Sequence, residues 1–491
     1  MTSSGGHARF PGAKTGAKTK DGPAGPAVIA FFLATAAAVG GFLFGYDSSV
    51  INGAVDAIES EWGLGSFVVG FVVSSALLGC AAGAWFAGPL GDRIGRVRVM
   101  LITSALFLAS GIGSALAFGP VDLIVWRLVG GLAIGAASVI APAYIAEIAP
   151  ARLRGRLGSL QQMAIVLGIF SALVVDYVIA RVSDGGASGE FPLGGTAWRW
   201  MFASELVPAA LYGVIALSIP ESPRYLIKKH RTARARDVLK RVMAPAEVDA
   251  KIDDISRSLA EDRPVELRDL RGPRLGLLPI VWVGILLSVF QQFVGINVIF
   301  YYSTSLWQSV GFSEDDAMLT SVINSLVNVA FTLVAIALID RIGRRRLLLA
   351  GAAGMAVSLA ALAVCFGTAP VVDGEPALGD VAGPIALVAA NTFVASVAAT
   401  WGPVVWVMLG EMFNNFIRAT ALAVGAAMQW IANFVITTTF PAVSGVSLAL
   451  AYGIYTLFAV LALLFVMRAV PETRGRELED MDDLASPGVR P

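Results

Sequence analysis

Histidine, cysteine and charged residues are all scarce in this chain of 491 residues. It holds 2 histidines and 2 cysteines, and 15% of its residues are charged. Cys80 and Cys365 stand far apart in apolar segments, which gives neither a disulfide framework nor metal-ligand spacing. His7 and His230 lie outside every long apolar run, so a histidine proton carrier within a membrane is excluded, as is a catalytic triad built on histidine. The formal net charge is zero, so no nucleic-acid partner is indicated.

Residues 1–25 also lack the compact apolar core and the cleavage site of a signal peptide, and we expect them to form a disordered cytoplasmic tail. The chain as a whole is 56% hydrophobic with a mean hydropathy of +0.73, which is typical of a polytopic membrane protein. Runs of about 20 apolar residues mark candidate spans. They lie at 27–46, 66–88, 98–118, 121–145, 158–180, 199–219, 275–303, 317–339, 346–367, 383–409, 418–440 and 447–468.

This pattern predicts an all-α membrane protein with twelve transmembrane helices in two six-helix bundles. We expect the bundles to cover 26–219 and 275–470, with a cytoplasmic helical linker at 220–274 and a cytoplasmic tail at 471–491. Lysine and arginine concentrate in the loops after spans 2, 4, 6 and 8, whereas the alternate loops carry acids. The positive-inside rule therefore predicts that both termini are cytoplasmic, in the cytoplasmic (plasma) membrane.

The seventh apolar run reads FQQFVGINVIFYY at 290–302 and is interrupted by uncharged polar side chains. They are Gln291, Gln292, Asn297, Tyr301 and Tyr302. Each unsatisfied polar group in hydrocarbon costs several kcal/mol, so we expect these residues to bind a neutral, hydroxyl-rich ligand. Polar contacts between helices are the alternative. Gly295, between the amides, predicts a local break in the helix.

The two halves of the sequence repeat. GDRIGR at 91–96 recurs as DRIGRR at 340–345, and Glu147 with Arg154 recurs as Glu411 with Arg418. Gln162 likewise has a counterpart in Gln429. Such a duplication of a six-helix unit places a ligand site at the interface of the halves, near the middle of the bilayer.

Five motifs in this order resemble the sugar porter family of the major facilitator superfamily. They are GPLGDRIGR at 88–96, PESPR at 220–224, FQQFVGIN at 290–297, DRIGRR at 340–345 and PETRG at 471–475. The resemblance covers the chain from about residue 27 to 478. The sugar porter family includes bacterial proton symporters for xylose or glucose and animal glucose facilitators.

The resemblance implies a sugar site formed mainly by the second half. Its residues would be Phe44, Gln162, Gln291, Gln292, Asn297, Tyr301, Asn328, Gly402, Trp406, Gln429, Trp430 and Asn433. The chemistry agrees, because amides pair donors and acceptors with adjacent hydroxyls and an indole covers the apolar face of a sugar ring.

Ionisable residues within spans are expensive and are functional by default. Asp47, Arg127 and Glu205 match the residues that couple protons in the family's symporters, whereas facilitators commonly carry Asn at the position of Asp47. A static buried ion pair is the alternative. Asp176 has no counterpart in the family, and we expect it to occupy a solvated helix end.

The repeated charges at the ends of spans resemble the family's cytoplasmic latch, which holds the inner gate closed in the outward-facing state. They are Asp92, Arg93, Glu147 and Arg154 in the first half, and Asp340, Arg341, Glu411 and Arg418 in the second. Charges that only set topology are the alternative, but they would not explain the repeated acids.

The expected function is proton-coupled uptake of a monosaccharide by alternating access. D-glucose is favoured because GGFLFGYDSSVINGAV at 40–55 is similar to bacterial glucose permeases. A proton-independent facilitator, a symporter for xylose or inositol, a transporter-like sugar sensor and, last, a membrane enzyme are the alternatives. No cofactor or metal is expected. The partners would be the sugar, protons and the lipid bilayer, and we expect a monomer.

Overall fold

The computed structural model describes residues 25–150, 153–261, 267–272, 276–372, 375–413 and 417–473. Within these ranges, 12 helices are long and apolar enough to cross a membrane, which confirms the predicted number of spans. The first half contains α1 Pro26–Ser49, α2 Val55–Trp62, α3 Ser66–Ile94, α4 Arg96–Ala115, α5 Pro120–Ile148, α6 Arg154–Val182, the 3₁₀ turn Gly186–Ser188, α7 Ala197–Ser204 and α8 Leu206–Ser218. Helices α7 and α8 together form the sixth span.

The central stretch forms short helices, and the second half then repeats the arrangement of the first. The linker contains α9 Pro223–Lys228, α10 Thr232–Val242, α11 Pro245–Glu261 and the 3₁₀ turn Leu267–Leu270. The second half contains α12 Pro279–Phe293, α13 Ile296–Gln308, α14 Glu314–Ile342, α15 Arg344–Gly367, α16 Ala382–Ser396, the π-helical segment Val397–Trp401, α17 Gly402–Glu411, α18 Arg418–Val446 and α19 Leu448–Ala469. A small antiparallel pair, β1 Val371–Val372 and β2 Glu375–Pro376, follows α15.

Two spans of the second half are broken at the depth where the sequence predicts a ligand site. Gly295 separates α12 from α13 and has φ of +82°, a left-handed conformation that favours glycine. A Cβ at this position would lie 2.7 Å from the Tyr455 ring. The predicted break at Gly295 is therefore present. The other break is the π-helical segment between α16 and α17, a type of irregularity that is frequent at functional sites.

The two halves meet along two pairs of helices, α3 against α18 and α6 against α14. Small residues allow close approach: a Cβ at Gly70 would lie 2.2 Å from the Thr438 carbonyl oxygen. We call the side that carries α9–α11 the linker side, and the other side the far side. On the far side, Asn52 donates to the Phe300 carbonyl at 3.0 Å, and Glu314 accepts from the Ala187 N–H at 2.8 Å. These contacts close the far side.

Candidate functional site

The two broken spans are tied to each other by an amide. Gln291 of α12 is buried, and its Nε2 donates to the carbonyl oxygens of Trp401 at 2.9 Å and Gly402 at 3.2 Å. These carbonyls lie at the junction of the π-helical segment and α17, and a carbonyl oxygen has two lone pairs with which to accept hydrogen bonds. The Gln291 Oε1 is buried and has no partner in the part of the chain that the structure describes. It is an acceptor that a ligand hydroxyl can satisfy.

A second amide pair spans the break at Gly295. The Asn297 Nδ2 donates to the Gln292 Oε1 at 2.6 Å, which brings a residue before the break against one after it. Tyr301 lies further along α13 beside Asn433 of α18 and Ser48 of α1. The Asn433 Oδ1 also accepts from Thr437 at 3.1 Å. The residues predicted in spans 7 and 11 therefore face each other.

Aromatic side chains join the halves at this depth. The rings of Phe44 in α1 and Trp430 in α18 have centroids 5.7 Å apart and are tilted by 47°. Trp406 of α17 is 38% exposed, whereas Trp401 is fully buried and donates to the Leu348 carbonyl at 2.9 Å. Of these two tryptophans, only Trp406 keeps an exposed face, and its contact with a ligand stays a prediction.

The remaining predicted residues vary in their surroundings. Gln429 has a buried Oε1 without a partner among the described residues, and Asn328 is buried in α14. Gln162 is half-buried in α6, but its neighbour Gln161 is buried with both amide atoms unpartnered in the described structure, and it lies against α1 at Gly41.

Asn324 of α14 is 1% exposed, and neither of its amide atoms has a partner within the described ranges. Neither Gln161 nor Asn324 was predicted from the sequence. In the sequence, Gln161 is marked only by its position next to Gln162, and Asn324 only by its spacing of one helical turn from Asn328.

The predicted acids and arginine in the first half form one buried cluster. Arg127 of α5 donates from Nη1 to the Asp47 carboxylate and to the Asp47 carbonyl oxygen, and both side chains are at most 2% exposed. The other carboxylate oxygen, Asp47 Oδ2, has no partner among the described residues. Glu205 stands between α7 and α8, is 1% exposed and lies within electrostatic range of this pair. The Arg127 guanidinium also lies over the Phe202 ring, 5.9 Å from its centroid.

Asp176 does not occupy a solvated helix end, so that expectation is wrong. The residue is 1% exposed, and its Oδ2 accepts from the Gly53 N–H at 3.4 Å. Helix α6 continues beyond it to Val182, and the buried turn at 50–54 covers its carboxyl group.

The charges on the linker side form a network around one arginine. Arg96, at the start of α4, donates to Glu147 at 2.9 Å and pairs with Asp92 at 2.8 Å. Glu221 of the PESPR motif accepts from the Arg96 N–H at 2.9 Å and so caps α4, and the Ser222 hydroxyl donates to Glu147.

The second half repeats this network. Arg344, at the start of α15, donates to Glu411 at 2.8 and 3.1 Å. Glu472 of the PETRG motif accepts from the Arg344 N–H at 2.9 Å, and the Thr473 hydroxyl donates to Glu411 at 2.7 Å. The repeat seen in the sequence is thus a repeated set of contacts.

Three of the predicted latch residues, Asp92, Glu147 and Glu411, belong to these networks. Arg93 and Arg341 are exposed at the ends of α3 and α14. The central arginines are Arg96 and Arg344, neither of which was predicted from the sequence as a latch residue. The side chains of Arg154, Asp340 and Arg418 lie outside the described residues.

Comparisons with known proteins agree with this architecture. The family described as "Sugar (and other) transporter" matches residues 33–485. A protein of Synechocystis sp. described as "Glucose transport protein" is 53% identical over 446 residues, covering 91% of this chain and 95% of the relative. The "D-xylose-proton symporter" of Escherichia coli (strain K12) is 36% identical over 496 residues, covering 94% of this chain and 96% of the relative.

Solved structures give the same result. The inward open conformation of the xylose transporter XylE from E. coli matches with a TM-score of 0.78 and 35% sequence identity, covering 93% of this chain and 99% of that one. The fold is that of a membrane transporter with two six-helix halves. The chain belongs to the sugar transporter family.

Proposed function

We propose that this protein is a secondary active transporter, not an enzyme, which couples uptake of a monosaccharide to an inward flow of protons by alternating access. One observation carries the proposal: the buried Asp47–Arg127 pair, with Glu205 beside it, lies in the same half as Phe44, which contacts Trp430 of the other half. Neutral amides at the site suit an uncharged sugar, while the buried acids suit a proton.

The ion pair provides a mechanism for coupling. Ionised Asp47 is held by Arg127, and breaking a buried pair without compensation costs roughly 3–5 kcal/mol. Protonation of Asp47 removes this attraction and frees α1 and α5 to move. A proton or sugar can shift the conformational equilibrium only through different affinities for its two states. Coupling therefore requires that both favour the same state.

The orientation follows from the charge distribution. Lysines and arginines accumulate on the linker side, so we assign that side to the cytoplasm of a cell whose plasma membrane holds the protein. Both termini are then cytoplasmic, and closure of the far side makes this an inward-facing arrangement. The likeness to the inward open structure of the xylose transporter supports that assignment.

The charge networks centred on Arg96 and Arg344 each lie within one half and are formed in this inward-facing arrangement. Each joins the start of one span to the end of another and to the segment that follows its half. We assign to the networks the role of holding each half together, and to the predicted latch residues the role of stabilising closure of the linker side through contacts between the halves in the outward-facing state. Each half would act as one unit, and we expect the transporter to be a monomer.

D-glucose is the sugar we assign, and the support is the 53% identity to the Synechocystis glucose transport protein. Xylose is the second candidate because of the 36% identity to the xylose-proton symporter. One hydroxymethyl group distinguishes these sugars, and a contact of that size is worth about 1–3 kcal/mol.

The test is uptake of labelled D-glucose into proteoliposomes with and without an imposed proton gradient, competed by unlabelled glucose, xylose, arabinose and inositol. Gradient-driven accumulation against the sugar gradient, inhibited best by glucose, is the expected result. Equilibration without accumulation would establish a facilitator. Stronger inhibition by xylose than by glucose would make xylose the substrate.

A further inference from the structure

A buried turn at residues 50–54 closes the far side, and it joins both halves. Asn52 of this turn donates to the Phe300 carbonyl at 3.0 Å and accepts from the Thr304 hydroxyl at 2.5 Å, both in α13. On its other side, the Gly53 N–H donates to Asp176 of α6 at 3.4 Å. A Cβ on Gly53 would lie 2.8 Å from the Asp176 Cβ, so the turn rests directly on this residue.

The Asp176 carboxyl group has little to stabilise a negative charge. It is 1% exposed, its Oδ1 has no partner in the described part of the chain, and its one hydrogen bond is long. An ionised carboxylate in such surroundings is costly unless it is paired. The neutral acid avoids this cost.

Within the described ranges, every cation in the far-side halves of the facing elements already has a partner, so none is free to pair with Asp176. Among the described residues, the titratable and charged groups in the far-side halves of these elements are Tyr46 and Asp47 of α1, Asp56, Glu59 and Glu61 of α2, Asp122 and Arg127 of α5, Tyr177 and Arg181 of α6 itself, Arg199 of α7, Glu205 after α7, and Glu314, Asp315 and Asp316 of α14. Arg127 pairs with Asp47, Arg181 with Asp315 at 3.7 Å, and Arg199 with Glu61 at 2.9 Å. The other groups are acids or phenols, which disfavour a second negative charge.

We propose that Asp176 is a second proton-binding site, distinct from the Asp47–Arg127 pair, which must hold a proton for the turn at 50–54 to close the far side. When the turn moves away from α6, water reaches the carboxyl group and it can ionise. When the turn returns, the group must be neutral again. Protons on the far side would therefore favour closure, and this proton would exchange with the far side only.

This inference rests on the alternating access proposed above, but its test is conformational and needs no sugar or gradient. Ser60 of α2 and Ser309 after α13 are exposed and stand in different halves near the turn. Spin labels on Ser60→Cys and Ser309→Cys report the separation of the halves on the far side by pulsed electron resonance. The chain's own Cys80 and Cys365 are buried.

The distances would be measured in purified, reconstituted protein between pH 5 and pH 9. Linkage to one proton changes the ratio of open to closed molecules by tenfold per pH unit. In the parent we expect opening to increase with pH. In Asp176→Asn the slope of the logarithm of this ratio against pH should fall by about one, with the closed form favoured at high pH. Asp184→Asn, which replaces an exposed acid on the same side, should retain the parent's slope.

If Asp176→Asn is poorly folded, Asp176→Glu provides a second test. Asp176→Glu keeps a carboxyl group and should retain the pH dependence with a displaced midpoint. An unchanged slope in well-folded Asp176→Asn would overturn the proposal, as would the same loss of slope in Asp184→Asn. Opening that follows sodium concentration at constant pH would show a metal-ion site instead. A far side that stays closed in the parent under every condition would contradict alternating access itself.

Discussion

The amide pair across the break at Gly295 allows a quantitative prediction about sugar binding. Asn297 is half-buried and its Nδ2 is occupied by Gln292 at 2.6 Å, which leaves its Oδ1 to accept a sugar hydroxyl. Asn297→Ala removes this acceptor and also leaves the buried Gln292 Oε1 without its partner. An unsatisfied buried polar group costs about 1–3 kcal/mol. We therefore expect the Kd for glucose to rise roughly 5- to 160-fold.

Equilibrium binding of labelled glucose to the purified protein measures this change directly. Asn391→Ala is the matched control, because Asn391 is in the same half but its Nδ2 donates within its own helix, to the Leu387 carbonyl at 2.9 Å. It lines a surface groove with Val327 and Phe331. A change of less than twofold in well-folded Asn297→Ala, or equal weakening in Asn391→Ala, would refute the assignment of the sugar to the break.

Three further predictions address the proton, the latch and the far side. Asp47→Asn imitates the protonated acid, so it should abolish pH-driven accumulation of sugar in proteoliposomes while sugar binding persists. If accumulation continues, Glu205 would be the residue that couples proton and sugar transport. Glu147→Gln removes the ion pair with Arg96, and we expect labelling of cysteines introduced near the linker-side ends of α6 and α18 to increase; labelling equal to the parent would leave the charges as topology determinants. Burial, together with nearby Glu59 and Glu314, raises the pKa of Asp56 in α2 from 3.8 to about 6. Because this pKa is raised, the stabilisation of the closed far side is present at low pH and is lost as pH rises through about 6. Asp56→Asn should remove this transition from the spin-label distances, and persistence of a midpoint near 6 would exclude Asp56.

The sequence predicted the spans and the helix break, because both depend on local properties. Twelve apolar runs correspond to twelve described spans, and Gly295 adopts the conformation that its position within a polar run suggested. Contacts across the chain could not be predicted in the same way. Asp176 lies near one end of its helix, and only the folded chain shows that the turn at 50–54 covers it.

The same limitation explains the arginines. Arg93 and Arg96 belong to the same motif and carry the same side chain, so the sequence alone does not distinguish their roles. The start of α4 at Arg96 decides between them, because it aims this side chain at Glu147 and leaves Arg93 exposed. Gln161 and Gln162 are likewise indistinguishable in the sequence. The rotation of α6 about its axis decides which of them lies against α1.

The cap that Glu472 provides to α15 has a practical consequence for handling the protein. Glu472 and Thr473, which follow the last span, are structural, because the acid accepts backbone N–H groups of Arg344 and Arg345 and the threonine donates to Glu411. Shortening the chain to Ala469 would remove these contacts and leave the first turn of α15 uncapped. A purification tag or fluorescent reporter should therefore never replace the PET residues at 471–473.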